Sequence, residues 1–222
     1  MFPLFFLLAR SGLRPGEGYA LTWKDVDVES RLITVTKTLH RTRKRKQGEP
    51  SYRVGITKTS ESRKVDMTDG LRAMLTTMRA QRAAASLETG QEPVAWVFHN
   101  NGEPLHESSV RDHMLRILKH AGVPQDFHPH CLRHSYASHL LGKGVSVYNV
   151  SRQLGHRDMR TTVNVYGHWI PDAGNAAANV LENDGGDQYP LNMVTNELSE
   201  VVSLGAVTTS TDITPPSALW LR

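Results

Sequence analysis

A chain of 222 residues, 39% of them hydrophobic, has room for one sizeable core but not for two full domains and a linker. Its formal charge of +4 is unevenly placed: residues 172–222 hold seven acids and one base, a net of −6, which leaves +10 on the first 171 residues. A single cysteine, Cys131, excludes an internal disulfide and fits a reducing compartment, and the apolar start is too short before Arg10 to span a membrane, so no membrane partner is expected.

Residues 2–9 are apolar nearly all round and predict a deeply buried helix, interrupted by Ser11 and Gly12 ahead of Arg14. Pro15 suits a first helical position, and Tyr19, Leu21 and Trp23 predict a short helix ending near a turn at 25–29, so Arg14 stands at a helix start. Alternating β-branched residues predict strands at 32–39, 52–57 and 63–67, a small three-stranded antiparallel sheet, with the basic residues 41–46 in a hairpin loop closed by Gly48 and Pro50. Helical spacing of Leu71, Met74, Leu75 and Met78 predicts a helix over 69–86, stopped before Gly90. A short apolar segment follows at 94–98, and Ser108 is expected to cap a helix running through His120. Pro129 opens a helix that Gly142 stops, 146–154 forms another that Gly155 stops, and a last short helix carries Thr162 to Tyr166. The fold class is therefore α+β, mainly helical with a small sheet. From Asn183 onward the glycine, threonine and proline clusters predict little structure.

The charge has a local centre. Residues 31–64 carry eleven Lys or Arg against Glu49 and Glu61, a net of +9, and such a field favours a polyanion, most commonly nucleic acid. Arg41, Arg43, Lys44, Arg45 and Lys46 are the candidate phosphate contacts, with a solvated basic loop as the plainer alternative. Further along, His130 and Arg133 fall three apart on one helical face just after a proline-defined start, where an anion is favoured. His130 and His134 also have the i, i+4 spacing of helical zinc ligands, but Arg133 between them opposes a cation and no acid accompanies them. Cys131 is expected to be a small core residue. Gly155 leaves His156 on a turn, and Tyr166 follows ten residues later. Taken singly, each of these residues has an ordinary structural reading.

Taken together they do not. Ser11-Gly12-Leu13-Arg14-Pro15-Gly16-Glu17, Thr57-Lys58-Thr59-Ser60-Glu61-Ser62-Arg63, His130-Cys131-Leu132-Arg133-His134-Ser135, Leu154-Gly155-His156 and Tyr166-Gly167-His168 resemble the boxes of the tyrosine recombinase, or phage integrase, family, in family order over roughly residues 4–180. The resemblance implies the fold of DNA breaking-rejoining enzymes and a site-specific recombinase that cuts and rejoins double-stranded DNA through a 3′-phosphotyrosine. It implies a nucleophile at Tyr166, phosphate-binding arginines at Arg14 and Arg133, histidines at His130 and His156, and a lysine at Lys58. The chemistry agrees: paired guanidiniums suit charge growing on phosphoryl oxygens, a phenol conserves the bond energy without ATP, and a lysine can protonate the departing oxygen. Glu17 is expected to buttress the Arg14 turn, His130 to assist proton transfer at Tyr166, and His156 to donate to a phosphoryl oxygen. Two arginines and a lysine can supply the charge neutralisation, so no cofactor and no metal are expected.

By the same resemblance, residues 1–182 are expected to be a catalytic domain without the DNA-clamping domain that normally precedes it, a truncation, while the composition of 183–222, which is unfamiliar in the family, predicts an acidic disordered tail. Residues 173–181 are expected to dock onto a neighbouring protomer, and a full-length form to act as a tetramer on paired DNA sites in the cytoplasm, as part of a mobile element. Two alternatives stay open: a type IB topoisomerase, which shares the chemistry but relaxes supercoils without pairing sites, and an inactive remnant that binds DNA.

Overall fold

In the computed structural model, which describes residues 1–42, 52–56 and 62–171, the chain opens with α1 (Phe2–Ser11). Leu4, Leu7, Leu8 and Ser11 form its buried face, at the spacing of a one-sided amphipathic helix. The expected burial all round is not found: Phe2 is 71% exposed and Phe6 carries the Arg10 guanidinium over its ring. Six large apolar residues within ten cannot all face one neighbouring layer, so Phe5 and Phe6 are only partly buried and Phe2 stands outside. Gly12 ends the helix in the left-handed region, φ 63°.

Next, α2 (Pro15–Tyr19) begins at Arg14, whose amide donates to Glu17 Oε2 at 2.8 Å. It stops at Tyr19, earlier than the Tyr19, Leu21, Trp23 pattern suggests. Trp23–Asp25 is a separate 3₁₀ turn, because Asp25 Oδ2 captures the Thr22 amide at 2.8 Å and the Lys37 ammonium at 2.9 Å. A two-residue strand, β1 (Val26–Asp27), follows.

The sheet differs in detail from expectation. Residues 32–39 do not make one strand: β2 (Leu32–Val35) and β3 (Lys37–Arg41) are separated at Thr36 and pair with different partners. β3 pairs antiparallel with β4 (Tyr52–Ile56), while β2 lies between β1 and β5 (Arg63–Asp66) in an antiparallel three-stranded sheet. The register sets Val35 opposite Arg63, which delivers Arg63 to the sheet end nearest α2.

A long helix, α3 (Asp69–Thr89), is capped by Thr68 Oγ1 accepting from the Leu71 amide at 3.3 Å, and buries Leu71 and Leu75. The apolar segment at 94–98 is tied to 21–23: Val97 donates its amide to Leu21 O at 2.9 Å, and Trp23 donates to Ala95 O at 3.0 Å. After β6 (His99–Asn100) and β7 (Glu103–Pro104), α4 (Glu107–His120) starts two residues earlier than a Ser108 cap would allow. His106 is the cap residue, and Ser108 Oγ lies inside the first turn, 3.0 Å from His106 Nδ1.

The last three helices agree with the glycine and proline punctuation. They are α5 (Pro129–Gly142), α6 (Val147–Leu154), capped by Ser146, and α7 (Met159–Tyr166), capped by Asp158. They enclose a second core of Ala137, Leu141, Val150, Leu154 and Tyr166, beside the larger core built from α1 to α4 and the strands. Met1–Pro171 forms one unit, so the expected domain boundary at 182 and the helix at 173–181 lie outside the described residues. Among the described residues no helix is long and apolar enough to cross a membrane.

Candidate active site

A helix leaves its last carbonyls without amide partners and places partial negative charge there. α1 and α6 both end at left-handed glycines, Gly12 and Gly155, and their free carbonyls converge between the two cores. Arginines fill the gap. Arg133, in the second turn of α5 and 2% exposed, donates from one terminal nitrogen to Gly12 O and from the other to Leu154 O, both at 2.7 Å. Arg63 donates through Nε to Gln153 O at 3.0 Å, and Arg14 reaches Gly155 O at 3.4 Å.

One carboxylate joins this cluster. Glu17, 3% exposed, takes a two-pronged ion pair from Arg63 at 3.0 and 2.6 Å and a third contact from Arg14 at 3.0 Å. Burial alone would raise the Glu17 pKa; the hydrogen bonds and charge of Arg63, helped by Arg14, hold it below its ordinary 4.5. Glu17 therefore does buttress the Arg14 turn, and it locks Arg63 as well. Arg133 gets no such partner: its hydrogen bonds go to two carbonyls and an imidazole. Burial, reinforced by the charge of Arg14, pushes Arg133 down to about 9. Three guanidiniums around one carboxylate leave an excess of positive charge facing a space that suits an anion.

His156 sits on the α6–α7 turn with Nε2 3.1 Å from an Arg133 nitrogen and Nδ1 2.8 Å from Thr162 Oγ1. A guanidinium only donates, so Nε2 accepts and the proton lies on Nδ1, donated to Thr162. Burial, followed by the charges of Arg133, Arg14 and Arg63, lowers its pKa to about 4, in keeping with that neutral form. His130, in the first turn of α5, is also pushed down to about 4, by burial first and then by His134 and Arg133.

Tyr166 closes α7 with its ring in the second core and only 5% of the residue exposed. Its hydroxyl lies 2.8 Å from His134 Nδ1. Burial raises the phenol above its ordinary 10, opposed by the charge of Arg133. His130 instead meets His134 edge-on, ring centroids 5.0 Å apart.

Arg14, Arg133, His156 and Tyr166 are thus gathered at one junction, and His130 lies along its rim. Beside them opens a cleft of about 1030 Å³ whose walls include Arg14, Tyr19, His40, Arg111 and His130. Lys58, Arg43, Lys44, Arg45 and Lys46 lie outside the described residues, as does the side chain of Arg41 at the end of β3. Cys131 is not a core residue: it is half-buried at the start of α5, its sulfur 3.5 Å from the His128 amide. Among the described residues no group of three or more His, Cys, Asp or Glu side chains could hold a metal ion, which includes the histidines of α5. Sequence reasoning missed Arg63 and His134. Both stand in boxes that carry the family resemblance, and His134 also has the i, i+4 spacing to His130, but neither signal names the partner that the side chain meets.

The family model described as the phage integrase family matches residues 3–171. A tyrosine recombinase XerC-like protein of Caldanaerobacter subterraneus subsp. tengcongensis is 32% identical over 189 residues, covering 80% of this chain and 48% of that protein. The chain spans about half, or less, of the length of such curated relatives. Among solved structures, the Tn1549 transposon integrase in complex with circular intermediate DNA is similar in fold, with a TM-score of 0.65 at 24% identity over 82% of this chain and 57% of that one. The catalytic domain of bacteriophage HP1 integrase matches with a TM-score of 0.53 at 19% identity, over 84% of this chain and 83% of that domain.

Proposed function

The chain belongs to the phage integrase family, and from that premise we propose that it is a site-specific recombinase that cuts and rejoins double-stranded DNA through Tyr166. The observation that carries this reading is the convergence of Arg14 and the buried, carboxylate-free Arg133 on the junction that also holds the Tyr166 phenol. A scissile phosphate entering from the cleft supplies the missing negative charge, and the two guanidiniums stabilise the charge that grows on its nonbridging oxygens.

The Tyr166 oxygen then attacks phosphorus, a tyrosyl–phosphate bond forms at the 3′ end, and the bond to the 5′ oxygen breaks. Lys58 delivers the proton to that leaving oxygen. Bond energy is conserved, so the reverse attack by a 5′ hydroxyl rejoins the strand without ATP. His156 holds Arg133 in place; to donate to a phosphoryl oxygen it must give up its acceptor bond from Arg133. His130 lines the approach. DNA is the partner of the similar transposon integrase; for this chain, we extend the reading to strand exchange by a tetramer on paired sites, with basic residues 41–46 adding phosphate contacts.

A nicked suicide DNA substrate bearing the element's end sequences tests this. The native chain is expected to form a covalent adduct with or without EDTA, and Tyr166→Phe none while folding normally. No adduct from the folded native chain would favour an inactive DNA-binding remnant, and loss of the adduct in EDTA would sink the metal-independent mechanism.

A further inference from the structure

A phenol raised above its ordinary pKa by burial is a poor nucleophile at neutral pH unless something takes its proton as it attacks. Most of the titratable groups at the junction are committed elsewhere. Glu17 is engaged by Arg63 and Arg14, and both nitrogens of His156 are bonded, to Arg133 and Thr162. His130 meets the neighbouring imidazole rather than the phenol. His134 is the exception, with Nδ1 2.8 Å from the Tyr166 oxygen.

The placement has a structural cause. Arg133 and His134 are consecutive on α5, so one turn of helix sends the guanidinium inward to the two helix ends and the imidazole outward to the end of α7. The Tyr166 ring is packed among Ala137, Leu141, Val150 and Leu154, which limits how far its oxygen can swing away from His134.

Resting on the recombinase reading above, we propose that His134 is the catalytic base: Nδ1 takes the phenolic proton of Tyr166 as its oxygen bonds to phosphorus, and returns it when the strand is rejoined. The Tyr166 O–H bond breaks and an Nδ1–H bond forms, while the departing 5′ oxygen takes its proton separately, from Lys58. The accepting tautomer carries its proton on Nε2. His134 is exposed on α5, yet partial desolvation and the charges of Arg133 and His128 favour its neutral ring before attack, and the phosphate's charge compensates the imidazolium afterwards.

The test uses the full chain and the suicide substrate, with Tyr166 either natural or replaced by a fluorotyrosine whose phenol ionises more readily. His134→Gln is expected to slow adduct formation about a hundredfold or more, the usual contribution of a general base. Fluorotyrosine is expected to recover at least about tenfold of that loss in His134→Gln while changing the native rate little. The same substitution is expected to give no recovery in His130→Gln. A His134→Gln chain that cleaves at the native rate, or one that is slowed but gains no more from fluorotyrosine than the native chain does, overturns the assignment and leaves His134 a packing residue. Those outcomes are read against an active native chain; a folded native chain that forms no adduct at all overturns the recombinase reading itself.

Discussion

Glu17 is shared by two arginines, and its replacement separates charge from shape. Glu17→Gln keeps the volume but leaves the buried Arg63 guanidinium with no counter-charge, a change expected to cost about 3–5 kcal/mol. Because the Glu17 pKa is held below its ordinary 4.5, its contribution is present above that pH and is lost as the pH falls through the lowered folded value. Urea unfolding should therefore show a wide gap between native and Glu17→Gln chains at pH 7 that narrows below pH 4.5; a gap independent of pH would mean that packing, not charge, is lost. The residues the sequence makes legible here, Arg14, His156 and Tyr166, stand beside prolines or glycines whose backbone roles follow from residue type. Arg133 is legible through its spacing from His130. Arg63 and His134 are legible as members of the recombinase-like boxes but their roles are not, because their partners lie 46 and 32 residues away and no local pattern encodes a fold-made contact.

At the scale of elements, the positions of helix ends matter more than helix interiors. Gly155 has φ +67°, and a Cβ there would lie 2.6 Å from Arg63 Cδ and 2.8 Å from its Nε. Gly155→Ala therefore combines left-handed strain of about 1–2 kcal/mol with displacement of the arginine that locks Glu17. A melting curve should show the destabilisation, and adduct formation should fall by more than the melt alone explains, since Gly155 O also receives Arg14. An Ala variant with unchanged cleavage would show that the Arg63 clamp is dispensable. The stops at Gly12, Gly90 and Gly155 and the start at Pro129 are legible because those residue types are exceptional where they stand. The break at Thr36 is not: the alternation of residues 32–39 continues through it, and only the change of partner from β5 to β4 creates it. A two-residue strand such as β1 carries no periodicity at all.

At the scale of the whole molecule, two hydrophobic cores meet at the arginine cluster, so helix ends and guanidiniums join the halves of the fold alongside the packing of α5 on α1. The class, the helical majority and the antiparallel strands follow from periodicity, while this junction could not be foreseen, because it depends on how α1 and α6 come to point at one another. It also concentrates positive charge: mutual repulsion among Arg14, Arg63 and Arg133 is only partly answered by Glu17. Folding and anion occupancy are therefore thermodynamically linked. Inorganic phosphate should raise the melting temperature relative to chloride at equal ionic strength, by about 1.4 kcal/mol of stability at a tenfold excess over its dissociation constant, and the gain should shrink in Arg14→Gln. On the proposed function, the scissile phosphate would be the last counter-ion of the fold, and the protein would be most stable when it holds the group it cuts.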